Sequence, residues 1–289
     1  NEGNVIAEKA ALDEMGSALV KSDANKPNPQ HNGKLVYMSA KLTSNDRLSD
    51  EPYLIGGPYL ALERRVEMYQ WKETEETRRI GNRRETTYKY AMGWAEGRQN
   101  SETFKQSAGH QNPPLPIQPR LSHVAKATYG KLDGVGVIKK LSPTTDVGVT
   151  SPHLSSKIRD KKPELKSGMV YLRKTPGGRS DAIGDVRLSY RAVKPGNFSL
   201  IAKLQGRQLV DHVTSNGRSK FIVEAGTKSP AALIKTEKAA ASSMAMILRF
   251  AGFFIMWVGM NLMAGPLTMV LSFIPIIGTL GRFMLGIIF

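Results

Sequence analysis

Hydrophobic and polar positions divide this chain unequally. From Phe250 to Phe289 the only ionisable side chain is Arg282, whereas the preceding 249 residues are dense with Lys, Arg, Asp and Glu. Within that tail, Met244 to Met263 is twenty residues long, and at about 1.5 Å of rise per residue it matches a hydrocarbon layer of roughly 30 Å. Its one charge, Arg249, sits near the N-terminal end, where a long stem carries the guanidinium to the interface. The apolar character goes round the whole helix with no polar stripe, which separates it from the core helix of a soluble domain. A membrane-spanning helix is therefore expected at 244–263.

After it, Ala264-Gly265-Pro266 is expected to end the helix, and the next uncharged stretch is broken by Pro275. Pro266 to Leu280 reads as an interfacial or re-entrant segment, and Phe283 to Phe289 as a dip into the layer or the start of a further span. The residues expected in lipid are Phe250, Phe253, Phe254, Trp257, Leu262, Leu267, Phe273 and Ile274. The chain begins at Asn1 rather than Met, so a processed N-terminus and a lost upstream signal or anchor are expected.

The polar part alternates with a period of two. Thr86, Tyr88, Tyr90, Met92 and Trp94 share one face of a strand, and Arg65 to Glu73 forms a second strand. The stretch around Gly81-Asn82 supplies the turn of a long antiparallel hairpin. Its aromatics alternate as core residues do, and Glu73, Glu75 and Glu76 come near Arg83, Arg84 and Lys89. Further strands are expected at Leu35 to Leu42, Met169 to Arg173, Val186 to Val193 and Phe198 to Leu204, the last two joined by a turn at Lys194-Pro195-Gly196-Asn197. Helices are expected at Ile6 to Val20 and from Ala231 into the span. Asn112 to Pro119 is Pro-rich and extended, and Ser151 to Gly168 reads as a polar loop.

Charge and composition refine this. Of the formal net charge of +16, Arg249 and Arg282 are the only charges beyond residue 244, leaving +14 on residues 1–244. Such an excess suits either a solvated surface or attraction to anionic head groups or an acidic partner. With no Cys there is no disulfide, thiol nucleophile or thiolate metal site. His31, His110, His123, His153 and His212 lack the spacing of a helical zinc site, and no nucleophile elbow, P-loop or dinucleotide fingerprint occurs, Gly134-Val135-Gly136 lacking its third glycine. His110 beside Asn112 is the one constellation to keep, and hydrogen bonding to a turn before Pro113 accounts for it better than catalysis. Neither cofactor nor metal is expected, nor nucleic acid, whose single strands need exposed aromatics among basic residues. Asn197-Phe198-Ser199 is the sole glycan-acceptor pattern.

Several blocks carry a family resemblance. They are Glu2-Gly3-Asn4-Val5, Ala11-Leu12-Asp13-Glu14, the run Glu63-Arg64-Arg65-Val66-Glu67-Met68-Tyr69-Gln70-Trp71, Trp94, Gly109-His110-Gln111-Asn112-Pro113 and Gly184-Asp185-Val186-Arg187. Arg249-Phe250-Ala251-Gly252, Gly259, Leu262, Gly265-Pro266-Leu267 and Phe273-Ile274-Pro275 continue them. Together these resemble the transmembrane protein 43 family. Glu63, Arg64, Arg65, Glu67, Met68, Tyr69, Trp71, His110, Asn112, Asp185 and Arg187 are the motif positions. The resemblance implies a multi-span protein of the endoplasmic reticulum and inner nuclear membrane, with a large lumenal domain between a first span and several C-terminal ones. On that comparison the first span is absent here, the last are cut short, and Ser151 to Gly168 is a lineage-specific insertion. Lys235, Lys238 and Arg249 would by the positive-inside tendency hold the domain cytoplasmic; the resemblance places it in the lumen, and that placement is the expectation.

The expected architecture is an α+β membrane protein: a β-rich antiparallel extramembrane domain over residues 1–243, a transmembrane helix over 244–263, and an interfacial or re-entrant segment over 264–289. The expected function is that of a non-enzymatic membrane-anchored scaffold assembling membrane protein complexes at the endoplasmic reticulum or nuclear envelope, with an accessory structural subunit of a larger membrane complex as the alternative. Its expected partners are membrane lipids, other membrane proteins and further copies of itself.

Overall fold

In the computed structural model, residues 2–81, 83–159, 162–175, 178 and 180–271 are described. They fall into two compact units. The larger, residues 19–212 and 219–230, carries two seven-stranded sheets, antiparallel apart from one short parallel pairing at Val20–Lys21.

The first sheet is built on β1 (Leu35–Thr43), where Val36, Met38, Ala40 and Leu42 alternate inward. The second is built on β2 (Ala61–Ile80), which pairs with β3 (Arg83–Glu96) on one side and with β4 (Val186–Val193) on the other. β5 (Gly196–Gln205) returns to the first sheet and runs antiparallel to β1, with Gly196 opposite Leu42 and Lys203 opposite Leu35. The expected turn at Lys194-Pro195 is therefore present, but it passes the chain from one sheet to the other and does not close a hairpin.

Each sheet has its own apolar cluster. Val36, Met38, Leu42, Phe198, Leu200 and Leu204 fill the first, with Tyr129 among them. Leu62, Val66, Val170, Leu188, Tyr190 and Ala192 fill the second. Leu154 and Ile158 also enter this second cluster, from a 3-10 turn at Ser151–His153 and a short helix at Ser156–Arg159. The polar loop expected at Ser151 to Gly168 is thus corrected: two apolar residues among the lysines suffice to fold it onto the core.

The expected hairpin forms, with Tyr69 opposite Trp94 and Trp71 opposite Met92, and Gly81 in the turn takes φ +60°. Lys89 Nζ lies 2.7 Å from Glu76 Oε1, while Arg84 faces Arg79 and Arg83 faces Ile80. Burial of the aromatic face is corrected. No β3 side chain is buried, Met92 is 51% exposed, and Tyr69 and Trp71 are half-buried. It is the alternate positions of β2 that point inward: Leu62, Arg64, Val66, Met68 and Gln70. Periodicity fixes which residues share a face, but not which face meets the core.

The smaller unit brings together α1 (Glu2–Ala18), the turn at 213–218 and α2 (Pro230–Leu271). A Cβ on Gly16 would lie 3.3 Å from Ile234 Cδ1, so glycine here permits close approach of the two helices. Lys238 pairs with Asp13, Ser215 N–H donates to Glu14, and Arg218 Nη1 lies 3.0 Å from Glu8 Oε2. α2 opens with Pro at its first position, a favoured start. It then runs unbroken through residue 243 and through Ala264-Gly265-Pro266, where a stop was expected. Proline's φ near −65° is itself helical, so it removes one hydrogen bond without forbidding the path. Leu262 and Leu267 lie on this helix; Phe273, Ile274, Pro275 and Arg282 lie outside the described residues.

Candidate functional site

The family-motif positions converge on β2, one set on each face and one along its edge. On the inner face, Arg64 replaces an apolar residue between Leu62 and Val66 and is 9% exposed. Its Nη1 lies 2.8 Å from both oxygens of Asp50, itself 3% exposed, and its Nε and Nη2 donate to the Gln118 carbonyl at 3.1 and 2.8 Å. Tyr190 O–H donates to Asp50 Oδ2 at 2.8 Å, and burial, reinforced by that carboxylate's charge, pushes its hydroxyl above the ordinary range. Gln70, fully buried, donates to the Gly97 carbonyl at 2.7 Å and accepts from Gln99 N–H at 2.8 Å.

On the outer face the charges are arranged in pairs. Arg187 grips Glu67 bidentately at 2.7 and 2.8 Å with its guanidinium 4.7 Å from the Trp94 ring centre. Arg65 grips Glu96, and that hydrogen bond holds the Glu96 carboxyl below its usual value. Glu63 faces Arg191 in the register, and Met68 is buried beneath. Trp94 packs edge-on against Tyr69 and Tyr171 at 5.6 Å each and donates its indole N–H to Asp181 at 2.9 Å. Asp181 also receives Arg173; burial works against its charge, but these two hydrogen bonds prevail and lower its pKa.

Along its edge, β2 outruns its neighbour, because β4 pairs no further than Met68. Tyr69 N–H then donates to the Asp185 carbonyl and Gly184 N–H to the Tyr69 carbonyl, both at 2.9 Å. Gly184 makes this return at φ +92°, a conformation other residues rarely adopt. The Asp185 side chain, 1% exposed, accepts from Lys174 and Ala182 N–H groups. Two residues on, the Asn112 side chain replaces a strand altogether. Its Oδ1 accepts from Trp71 N–H at 2.8 Å and its Nδ2 donates to the Trp71 carbonyl at 2.9 Å. His110 lies beside it, stacked on Tyr90 at 4.0 Å and edge-on to Trp71 at 4.7 Å, with Nδ1 2.9 Å from the Gln106 carbonyl. His110 thus bonds the local backbone as expected, but Asn112 reaches across to β2 and does not bond a turn before Pro113.

Sequence reasoning omitted Asp50, Tyr190, Gln70 and Asp181. An arginine at an inward position signalled a buried carboxylate, yet nothing in the spacing told which of 25 acids would supply it. An open groove of about 880 Å³ borders this network, flanked by Tyr53, Ile117, Glu164, Tyr171 and Lys174. Among the described residues no group of three His, Asp or Glu is arranged to hold a metal.

Six of the eight expected lipid-facing residues lie on α2, all but Phe273 and Ile274. Phe250, Phe253, Phe254 and Trp257 are 43% to 69% exposed, with Ile247, Ile255 and Met256 exposed beside them. The most apolar window has a mean hydropathy of 1.6, and none of it is buried. Among the described residues this is the one helix long and apolar enough to cross a membrane.

The family profile for "Transmembrane protein 43" matches residues 68–289, beginning inside the β2 motif. Transmembrane protein 43 of Mus musculus is 26% identical and that of Homo sapiens 27% identical, each across 96% of this chain and 72% of the relative. A "Transmembrane protein 43 homolog" of Drosophila melanogaster is 26% identical across 90% of this chain and 71% of its own length. No solved structure matches. With a match that spans most of its length, the chain belongs to the transmembrane protein 43 family, whose members are membrane proteins.

Proposed function

We propose that this protein is a non-catalytic scaffold, held in the bilayer by the 244–263 stretch of α2 and assembling membrane protein complexes at the endoplasmic reticulum or inner nuclear membrane. The observation that carries this reading is α2 itself. A run of large apolar side chains stands uncovered on it, and each is worth roughly 2 kcal/mol when moved out of water. A bilayer supplies that cover. The polar constellation on β2 supports a framework role, because Arg64, Glu67, Asn112, Asp185 and Arg187 are each engaged by a partner within the fold. On this reading the extramembrane domain faces the lumen, an orientation that the family resemblance supports.

Purification in mild detergent followed by mass spectrometry tests the function. A scaffold recovers chiefly with copies of itself and variable membrane proteins; recovery with a fixed set of unlike chains would make it an accessory subunit instead. Protease protection of an epitope in Ser151 to Gly168 in sealed microsomes tests the orientation, and cleavage without detergent would refute the lumenal placement.

A further inference from the structure

The distal hairpin differs from its base in how its charges are met. Beyond Trp71, β2 has no strand partner but β3, so the two run on as a ribbon through Glu73 to Ile80, roughly 25 Å of strand. Nearer the base acids outnumber bases, Glu73, Glu75 and Glu76 against Lys72 and Lys89; Glu76 pairs with Lys89, and Glu73 accepts from Tyr90 O–H at 2.7 Å. At the tip the balance reverses. Arg78, Arg79, Arg83 and Arg84 flank the turn, all exposed, against the single acid Glu85. Arg79 and Arg84 stand directly opposite each other, a like-charge pairing that costs stability in an isolated ribbon. Arg79 donates only to the neighbouring Gly81 carbonyl, and Arg78, Arg83 and Arg84 make no ion pair among the described residues.

From this we infer that the ribbon tip is a docking site for anionic phospholipid head groups. Guanidinium groups recognise phosphate oxygens in bidentate fashion, and four of them placed together supply a field that a neutral surface does not answer. The arginines occupy both faces, Arg79 with Arg84 on one and, on the other, Arg83 with Arg78, which alone has an acid, Glu85, opposite it in the register. A protein groove would read one face, whereas a head-group layer surrounds a tip entering it. This inference rests on the reading that α2 anchors the chain, since an anchored chain meets lipid phosphates at high local concentration.

The chain has no Cys, so Thr87→Cys gives one labelling site on the exposed ribbon. The labelled full chain is placed in phosphatidylcholine vesicles with or without phosphatidylserine, and also in neutral nanodiscs mixed with such vesicles. Energy transfer to a head-group acceptor reports approach of the tip to its own bilayer or to an apposed one. Approach should require phosphatidylserine, be reversed by high salt, and in the Arg78→Gln/Arg79→Gln/Arg83→Gln/Arg84→Gln variant need about 100-fold more anionic lipid. Should that variant fail to fold, the salt and lipid dependence of the parent decide alone. Indifference to phosphatidylserine in both arrangements overturns the inference, and polyglutamate binding without a lipid response would point to an acidic protein instead. Flotation with neutral vesicles tests the anchor separately, so failure of the one is told apart from failure of the other.

Discussion

Arg64 Nη1 lies 2.8 Å from each oxygen of Asp50, in a position along β2 that alternation reserves for apolar side chains. The pair is buried, and Tyr190 and the Gln118 carbonyl complete its hydrogen bonds. Removing one member leaves the other charged and unpaired in the interior, which costs about 3–5 kcal/mol. Asp50→Asn should therefore lower the thermal midpoint of the full chain in mild detergent by about 10 °C. The double variant Asp50→Leu/Arg64→Met should recover most of that loss. A single-variant shift within error would show that the pair holds nothing in place.

Asn112 closes the β2 edge with a side-chain amide. Asn112→Ala removes both bonds to Trp71 and should cost about 2 kcal/mol, leaving a backbone amide that exchanges faster with solvent. Hydrogen exchange resolved at Trp71 is the measurement. Unchanged protection there would mean that the edge is held by something other than Asn112.

Arg187 and Glu67 are about a quarter exposed, so their pairing is worth far less than the buried one. A double-mutant cycle with Arg187→Lys and Glu67→Gln should give a coupling of about 1 kcal/mol that shrinks in high salt. Lysine neither forks onto the carboxylate nor lies flat over Trp94. Coupling that is independent of salt would contradict this.

Burial pushes the hydroxyls of Tyr129 and Tyr190 above their ordinary pKa of 10.0. In the unfolded chain they ionise first as the pH rises, so the stability they contribute is complete below about pH 10 and lost above it. Tyr129 O–H also donates to the Met38 and Phe198 carbonyls, at 3.0 and 2.8 Å. Unfolding titrations should steepen above pH 10, and in Tyr129→Phe the steepening should be weaker although its neutral-pH stability is lower. A flat alkaline limb in the parent would refute the assignment.

Much of this was legible beforehand because its signals are local. The period of two located β3, strand-forming runs between turn residues located β1, β4, β5 and part of β2, and Gly81 marked where the hairpin turns. The sign of the burial did not follow. Tyr90 and Trp94 alternate as a core face would, yet their neighbours include His110 and Tyr171, which come from distant segments and leave that face partly open. Asn112 acting as a strand, and Asp50 reaching Arg64, are contacts across long chain separations that no spacing encodes. Pro266 misled in the other direction, since a proline weakens a helix at one bond without ending it.

The apolar stretch of α2 belongs in lipid. Membranes from cells expressing the full chain, washed in alkaline carbonate and floated on a density gradient, test it most directly. The protein should stay with the membrane fraction and be released only by detergent; recovery in the carbonate supernatant as a folded, water-soluble species would contradict the account.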